Sequence, residues 1–243
     1  MDFSKYFDVI YEDNHLLVVN KAPGVLVQGD STRDEPLVEL GKKYIKEKYD
    51  KPGAVFLGLA HRLDRPVSGL VVLARTSKGL ERMNKIFRER KVQKTYWAIT
   101  KRKPRPEQGK LVHYLKKDTS KNITTAFDEP VDGAQRAELS YRTLGKLNEH
   151  YLIEVVPITG RPHQIRVQLA AIGCPIRGDI KYGFKNRNQD GSIHLHARKL
   201  YFEHPVKKEP VEYIAPVPPT DFWEQWLVFD NQSARDKKLD MLH

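Results

Sequence analysis

Apolar positions in this chain fall in short runs separated by turn residues and charged clusters, a pattern that predicts many strands and few helices. Dense in β-branched and aromatic side chains, five runs in the first half read as strands: Phe7 to Tyr11, His15 to Asn20, Ala54 to Leu59, Gly69 to Arg75 and Lys94 to Thr100. Four more follow at Ala137 to Leu144, Tyr151 to Pro157, Ile193 to Phe202 and Val211 to Ala215. Helical spacing is confined to a few segments. Pro36 to Tyr49 opens with a proline suited to a first turn, and Ser77 to Arg90 repeats Leu80, Met83 and Phe87 after a capping Thr76. His163 to Ile172 carries Ile165, Leu169 and Ile172 on one face and stops at Gly173. Asp221 with Glu224 reads as a capping pair opening a helix over Phe222 to Val228.

Strands outnumber helices and do not alternate with them regularly, so the expected class is α+β: a mixed, largely antiparallel sheet core with flanking helices. No repeat, low-complexity stretch or linker divides the chain, and residues 1–243 are expected to form a single domain. The polar clusters Lys101 to Gln108 and Lys116 to Gly133 read as exposed connections. The first holds Lys101, Arg102, Lys103 and Arg105, all candidates for touching an anionic partner.

Charge sharpens that last point. Lys and Arg outnumber Asp and Glu by 42 to 31, a formal net charge of +11, which suits a polyanion because phosphate binding by cations releases condensed counterions. The apolar runs are far shorter than the roughly 20 residues that cross a bilayer. The single cysteine, Cys174, excludes an intrachain disulfide and a Cys-rich zinc site, and the first residues lack a secretion signal. A cytoplasmic protein without membrane attachment is expected.

The segment most concentrated in chemistry is Gly58 to Leu70, where an apolar run meets His61, Arg62, Asp64 and Arg65 before a second apolar run begins. Pro66 and Gly69 promote a turn that would present the Asp64 carboxylate at a sheet edge. Alone, such an aspartate would more often pair with an arginine than do chemistry. A second cluster, Thr159 to Leu169, places Arg161, His163, Gln164 and Arg166 at the start of a helix, with guanidinium groups available to a phosphate or carboxylate. Between the two lies Lys94 to Ala98, where Tyr96 faces one side of a strand and Thr95 and Trp97 the other.

Taken together, these blocks resemble the RluA-type RNA pseudouridine synthases. The likeness runs through VIYEDNHLLVVNKAPGVLV from Val9, HRLDRPVSGLVVLA, KTYWA, GRPHQIRVQLAAIGCPIRGDIKYG and LHARKLYFEHP. It implies the pseudouridine synthase fold with a central cleft, and isomerisation of uridine in transfer RNA or large-subunit ribosomal RNA with no cofactor. The catalytic carboxylate would be Asp64, the active-site tyrosine Tyr96, and the basic partner of the aspartate Arg166. Arg62 would help fill the space left by an extruded nucleotide, and His61, Arg65, Arg161, His163 and Gln164 would surround the RNA. Two positions depart from the usual pattern: Val67 and Pro162 stand where relatives often carry threonine. The resemblance further implies a monomer with no obligate protein partner and without the amino-terminal S4 RNA-binding module that some relatives carry.

Three rival readings differ in class. A kinase would need D-F-G and a Gly-rich phosphate loop, and neither is present. A metal-dependent nuclease could use His194 and His196, which an extended strand would place on one face, but no third ligand sits at a telling spacing. A non-catalytic RNA-binding protein or folding helper would share the basic charge and would not need Asp64.

Overall fold

The structure, a computed structural model, describes residues 1–29, 32 and 34–230. Backbone contacts gather them into two compact units. Of the described residues, the first holds those within 1–94, 190–192 and 196–216, and the second those within 95–189, 193–195 and 217–230.

In the first unit, β1 (Phe7–Glu12) pairs antiparallel with β2 (Leu16–Lys21), which pairs antiparallel with β4 (Ser68–Ala74). The two-residue strand β3 (Gly58–Leu59) joins one end of β4, so only the tail of the expected strand Ala54 to Leu59 forms. At its other end β4 runs parallel to β10 (Leu195–Glu203), which pairs antiparallel with β11 (Pro210–Ile214). Every residue of β4 is buried, as an uninterrupted apolar run covered on both faces requires. The close approach of β4 and β10 depends on Gly69: its φ is +113°, and a Cβ there would stand 2.4 Å from the Ala197 carbonyl oxygen. Beside it the Ser68 hydroxyl and His196 Nδ1, both buried, lie 2.9 Å apart.

Helices α1 (Leu37–Lys48) and α2 (Ser77–Arg88) belong to this unit, and the Thr76 hydroxyl caps α2 by accepting from Gly79 N–H at 3.0 Å. Met83 of α2 packs into a core with Leu16, Leu70, Val72, Leu200 and Phe202.

The second unit is an antiparallel sheet in the order β5 (Gln93–Thr100), β9 (His150–Pro157), β8 (Gln135–Leu147), β6 (Gln108–Asp118) and β7 (Ile123–Phe127). Helix α3 (Gln164–Ala171) contributes Val167 to a core with Leu115 and Ala137. A second core gathers Trp97, Ile99 and Leu152 with Trp223 and Trp226.

Strands β6 and β7 correct the expectation that Lys116 to Gly133 is an exposed connection. Lys110, Lys116 and Lys117 punctuate β6 and mask its alternation of Leu111, His113 and Leu115, and charged residues of this kind are common on strands near a sheet edge. The carboxyl-terminal helix is also shorter than expected. α4 spans Asp221–Glu224 with Thr220, not Asp221, as its cap, and residues Gln225–Phe229 tighten into a 3-10 turn. The mixed α+β class, with antiparallel pairing dominant and β4–β10 parallel, is as expected.

Candidate active site

Asp64 sits on the turn that leads into β4, where Val67 N–H donates to the Asp64 carbonyl at 3.0 Å. The turn is fixed from below by Lys21, the last residue of β2. Its ammonium group has no solvent exposure and donates to the carbonyls of Ala22 (2.9 Å), Val25 (3.0 Å) and Arg65 (3.2 Å). Gly24 N–H donates to the same Arg65 carbonyl at 2.8 Å. Burial pushes the Lys21 pKa down to about 7, while the neighbouring Asp64 charge works against that fall and Arg65 adds to it.

The other candidates in this unit divide by exposure. Arg62 is exposed. Arg65 donates to the Gly24 carbonyl at 3.0 Å and pairs with Asp34. His61 turns inward: its Nε2 accepts from Val72 N–H at 3.0 Å and its ring stacks on Phe87 at 4.7 Å between centroids. Burial holds its pKa down at about 3, with the Lys94 charge pushing the same way, so the ring stays neutral.

In the second unit, Tyr96 is buried in β5 opposite Val155 of β9. Arg166 projects from α3 and is buried; it grips Asp179 with two hydrogen bonds, Nε to Oδ2 at 2.7 Å and Nη2 to Oδ1 at 2.9 Å. That bidentate geometry fixes the plane of the guanidinium. Its other face covers the Tyr182 ring at 5.0 Å. The helix entrance is built around the same tyrosine. His163, the cap of α3, adopts a left-handed φ of 55°, and its Nδ1 lies 2.6 Å from the Tyr182 hydroxyl. Gln164 is buried, accepting from Thr159 Oγ1 and Arg161 N–H and donating to the Glu138 carbonyl. Arg161 donates from Nε to the Arg136 carbonyl.

Three residues to which sequence reasoning gave no role thus support the candidates: Lys21, Asp179 and Tyr182. Each carried a signal, since Lys21 follows a run of four apolar residues, Leu16 to Val19, after one asparagine, and Asp179 and Tyr182 lie in the quoted block GDIKYG. The histidines weighed as metal ligands are engaged in the fold. His196 is held by Ser68, while His194 lies outside β10 with its ring against Phe222 and Trp223. Among the described residues no group of three His, Cys, Asp or Glu gathers as a metal site, and no helix is long and apolar enough to cross a membrane.

The RNA pseudouridylate synthase family model matches residues 15–171, well over half of the chain. The chain belongs to this family. The matched span includes Asp64, Tyr96 and Arg166. Its relatives include the ribosomal large subunit pseudouridine synthase C of Vibrio vulnificus, 32% identical over 86% of this chain and 65% of that protein. The protein of the same name from Rickettsia bellii is 34% identical over 86% of this chain and 68% of its own. A mitochondrial pseudouridylate synthase of Xenopus tropicalis is 32% identical over 87% of this chain and 77% of its own. The chain therefore spans about two thirds of the length of the bacterial relatives. Among solved structures, human RNA pseudouridylate synthase domain containing 4 superposes with a TM-score of 0.74 at 28% identity, covering 91% of this chain and 92% of that one. Human RNA pseudouridylate synthase domain containing 1 shares the fold, with a TM-score of 0.68 at 24% identity over 88% and 84%.

Proposed function

We propose that this chain is a cytoplasmic, monomeric RNA pseudouridine synthase that converts uridine to pseudouridine in transfer RNA or large-subunit ribosomal RNA. The reaction breaks the bond from ribose C1′ to uracil N1, turns the base, joins C1′ to C5 and moves the C5 proton out as N1 gains one. Atoms and electrons balance without a cofactor. One carboxylate that attacks or removes a proton suffices, unlike glycoside hydrolysis, which usually uses two and admits water.

The observation that carries this reading is the Asp64 turn within the family-matched span, locked to the buried Lys21 ammonium. Asp64 is the catalytic carboxylate in this proposal. Tyr96 stacks on the flipped uracil, and Arg166, oriented by Asp179, keeps negative charge favourable during the reaction. Arg62, exposed beside Asp64, fills the space of the extruded nucleotide, with Arg65 and Arg161 toward the backbone. His61, His163 and Gln164, engaged with the protein itself, shape the walls. Extrusion costs a few kcal/mol, which stacking and phosphate contacts offset.

The test is Asp64→Asn assayed on uridine-containing RNA by mass spectrometry of the digested product. Binding should persist within a few fold while pseudouridine formation drops by about a thousandfold or more. Turnover close to the wild type would reject the assignment, and a wild type that binds RNA without ever forming pseudouridine would favour the folding-helper reading.

A further inference from the structure

The second unit carries a groove of about 620 Å³ that none of the candidate catalytic residues lines. Lys101 and Arg102, just beyond the end of β5, line it together with Arg177 and with Lys185 and Arg187 of the loop after Tyr182. No aspartate or glutamate is among the described residues lining it.

Five cations around one concavity would repel one another, so each one's partner matters. Lys101 reaches Glu149 at 3.0 Å, an exposed pair of little strength. Arg102, Arg177, Lys185 and Arg187 make no ion pair with a carboxylate among the described residues. Arg177 is the most telling, because it is half-buried. Its guanidinium carbon lies 3.9 Å from the Phe222 ring centroid, and Nη1 meets Asn188 Oδ1 at 3.3 Å and the His194 ring. Burial lowers its pKa, the cost of a cation without a counter-charge. The adjacent His150 is likewise pushed toward its neutral form by burial and by Arg177 and Lys101.

We infer that this groove is a second RNA subsite, taking the phosphodiester backbone of the strand that flanks the target uridine. The inference rests on the isomerase reading, because the placement is measured from Tyr96. Lys101 lies five positions beyond Tyr96, roughly 16 Å along extended chain, a few nucleotides of RNA. The groove also touches the catalytic cluster through Tyr182, which lines it and carries Arg166 on its ring. A strand threaded here would have planar guanidinium groups for its phosphates and the amide of Asn186 for its sugars. An acidic protein segment would meet the charges but not use the reach toward Tyr96.

The experiment measures binding of a fluorescein-labelled hairpin RNA of about 20 nucleotides with uridines in its loop, by anisotropy across a salt series. Lys185→Ala with Arg187→Ala, both in an exposed loop, should raise Kd about tenfold and flatten the salt slope by about 1.4, two phosphates at roughly 0.7 each. Arg102→Glu should weaken binding further. Lys46→Ala with Lys78→Ala, an equal loss of charge on helices α1 and α2, is the control and should change Kd less than twofold. An unchanged slope, an equal effect from the control, or displacement of the RNA by oligoglutamate as well as by unlabelled RNA would overturn the proposal. Binding is read without turnover, so a wild type that makes no pseudouridine ends the isomerase reading separately from this result.

Discussion

Lys21 in the first unit and Arg166 in the second are both buried cations, yet their surroundings differ in kind. Lys21 is held by three backbone carbonyls and has its pKa pushed down to about 7, whereas Arg166 is gripped by the Asp179 carboxylate with two hydrogen bonds. Carbonyl dipoles fix the position of an ammonium group without cancelling its charge, so Lys21 holds the Asp64 turn and still presents positive potential to the carboxylate. A bidentate carboxylate also fixes the plane of the guanidinium, so Arg166 is held in one orientation. In the proposed reaction Lys21 fixes the turn that carries Asp64, and Asp179 fixes the guanidinium of Arg166.

The comparison breaks most sharply at Asp179. Asp179→Ala leaves a buried guanidinium without its bidentate carboxylate and should cost about 3–5 kcal/mol in urea denaturation. A loss below about 1 kcal/mol would mean that the pair orients without stabilising. Replacing both partners, Arg166→Met with Asp179→Leu, should recover most of the loss, since an ion pair exchanged for apolar packing is often neutral. The matching change in the first unit is milder. Lys21→Met removes one donor from three carbonyls while relieving the burial of a charge, and should cost about 1–3 kcal/mol. Its larger effect should be a fall in kcat of about tenfold or more as the Asp64 turn loosens. Equal kcat with lower stability would confine Lys21 to the fold.

What the sequence made legible follows the same division. β4 and β2 were evident because burial on both faces leaves an unbroken apolar run, and α2 because its Thr76 cap and 3.6-residue spacing agree. β6 and β7 were hidden because lysines interrupt their alternation, leaving a pattern like that of a solvated loop. Asp64, Tyr96 and Arg166 stood out as polar or aromatic residues in informative blocks. Lys21 and Asp179 lay in informative blocks too, but their roles rest on partners, Arg65 and Arg166, that no local pattern announces. The groove was half legible: Lys101 and Arg102 were singled out as RNA candidates, but Arg177, Lys185 and Arg187 join them only through the turn after α3.

Acid separates the two units with the smallest expected effect. His61 and His196, both in the first unit, are held neutral by burial, with pKa values down at about 3, while the second unit's His113 and His150 are also lowered. Depressed histidine values mean that the unfolded chain binds protons first as pH falls through 6.5. Stability is then fully present above about 6.5 and is lost progressively toward 3. Lys21 acts in a different window: its lowered value makes stability rise as pH climbs from about 7 toward 10.5. Between pH 7 and 6, His196 alone should cost about 0.7 kcal/mol, approaching about 1.4 kcal/mol per pH unit below that. Hydrogen exchange should show amides of β4 and β10 losing protection before those of β8 and β9. Simultaneous loss in all four strands would mean that the units unfold as one, and the contrast drawn from Lys21 and Arg166 would then describe local geometry alone.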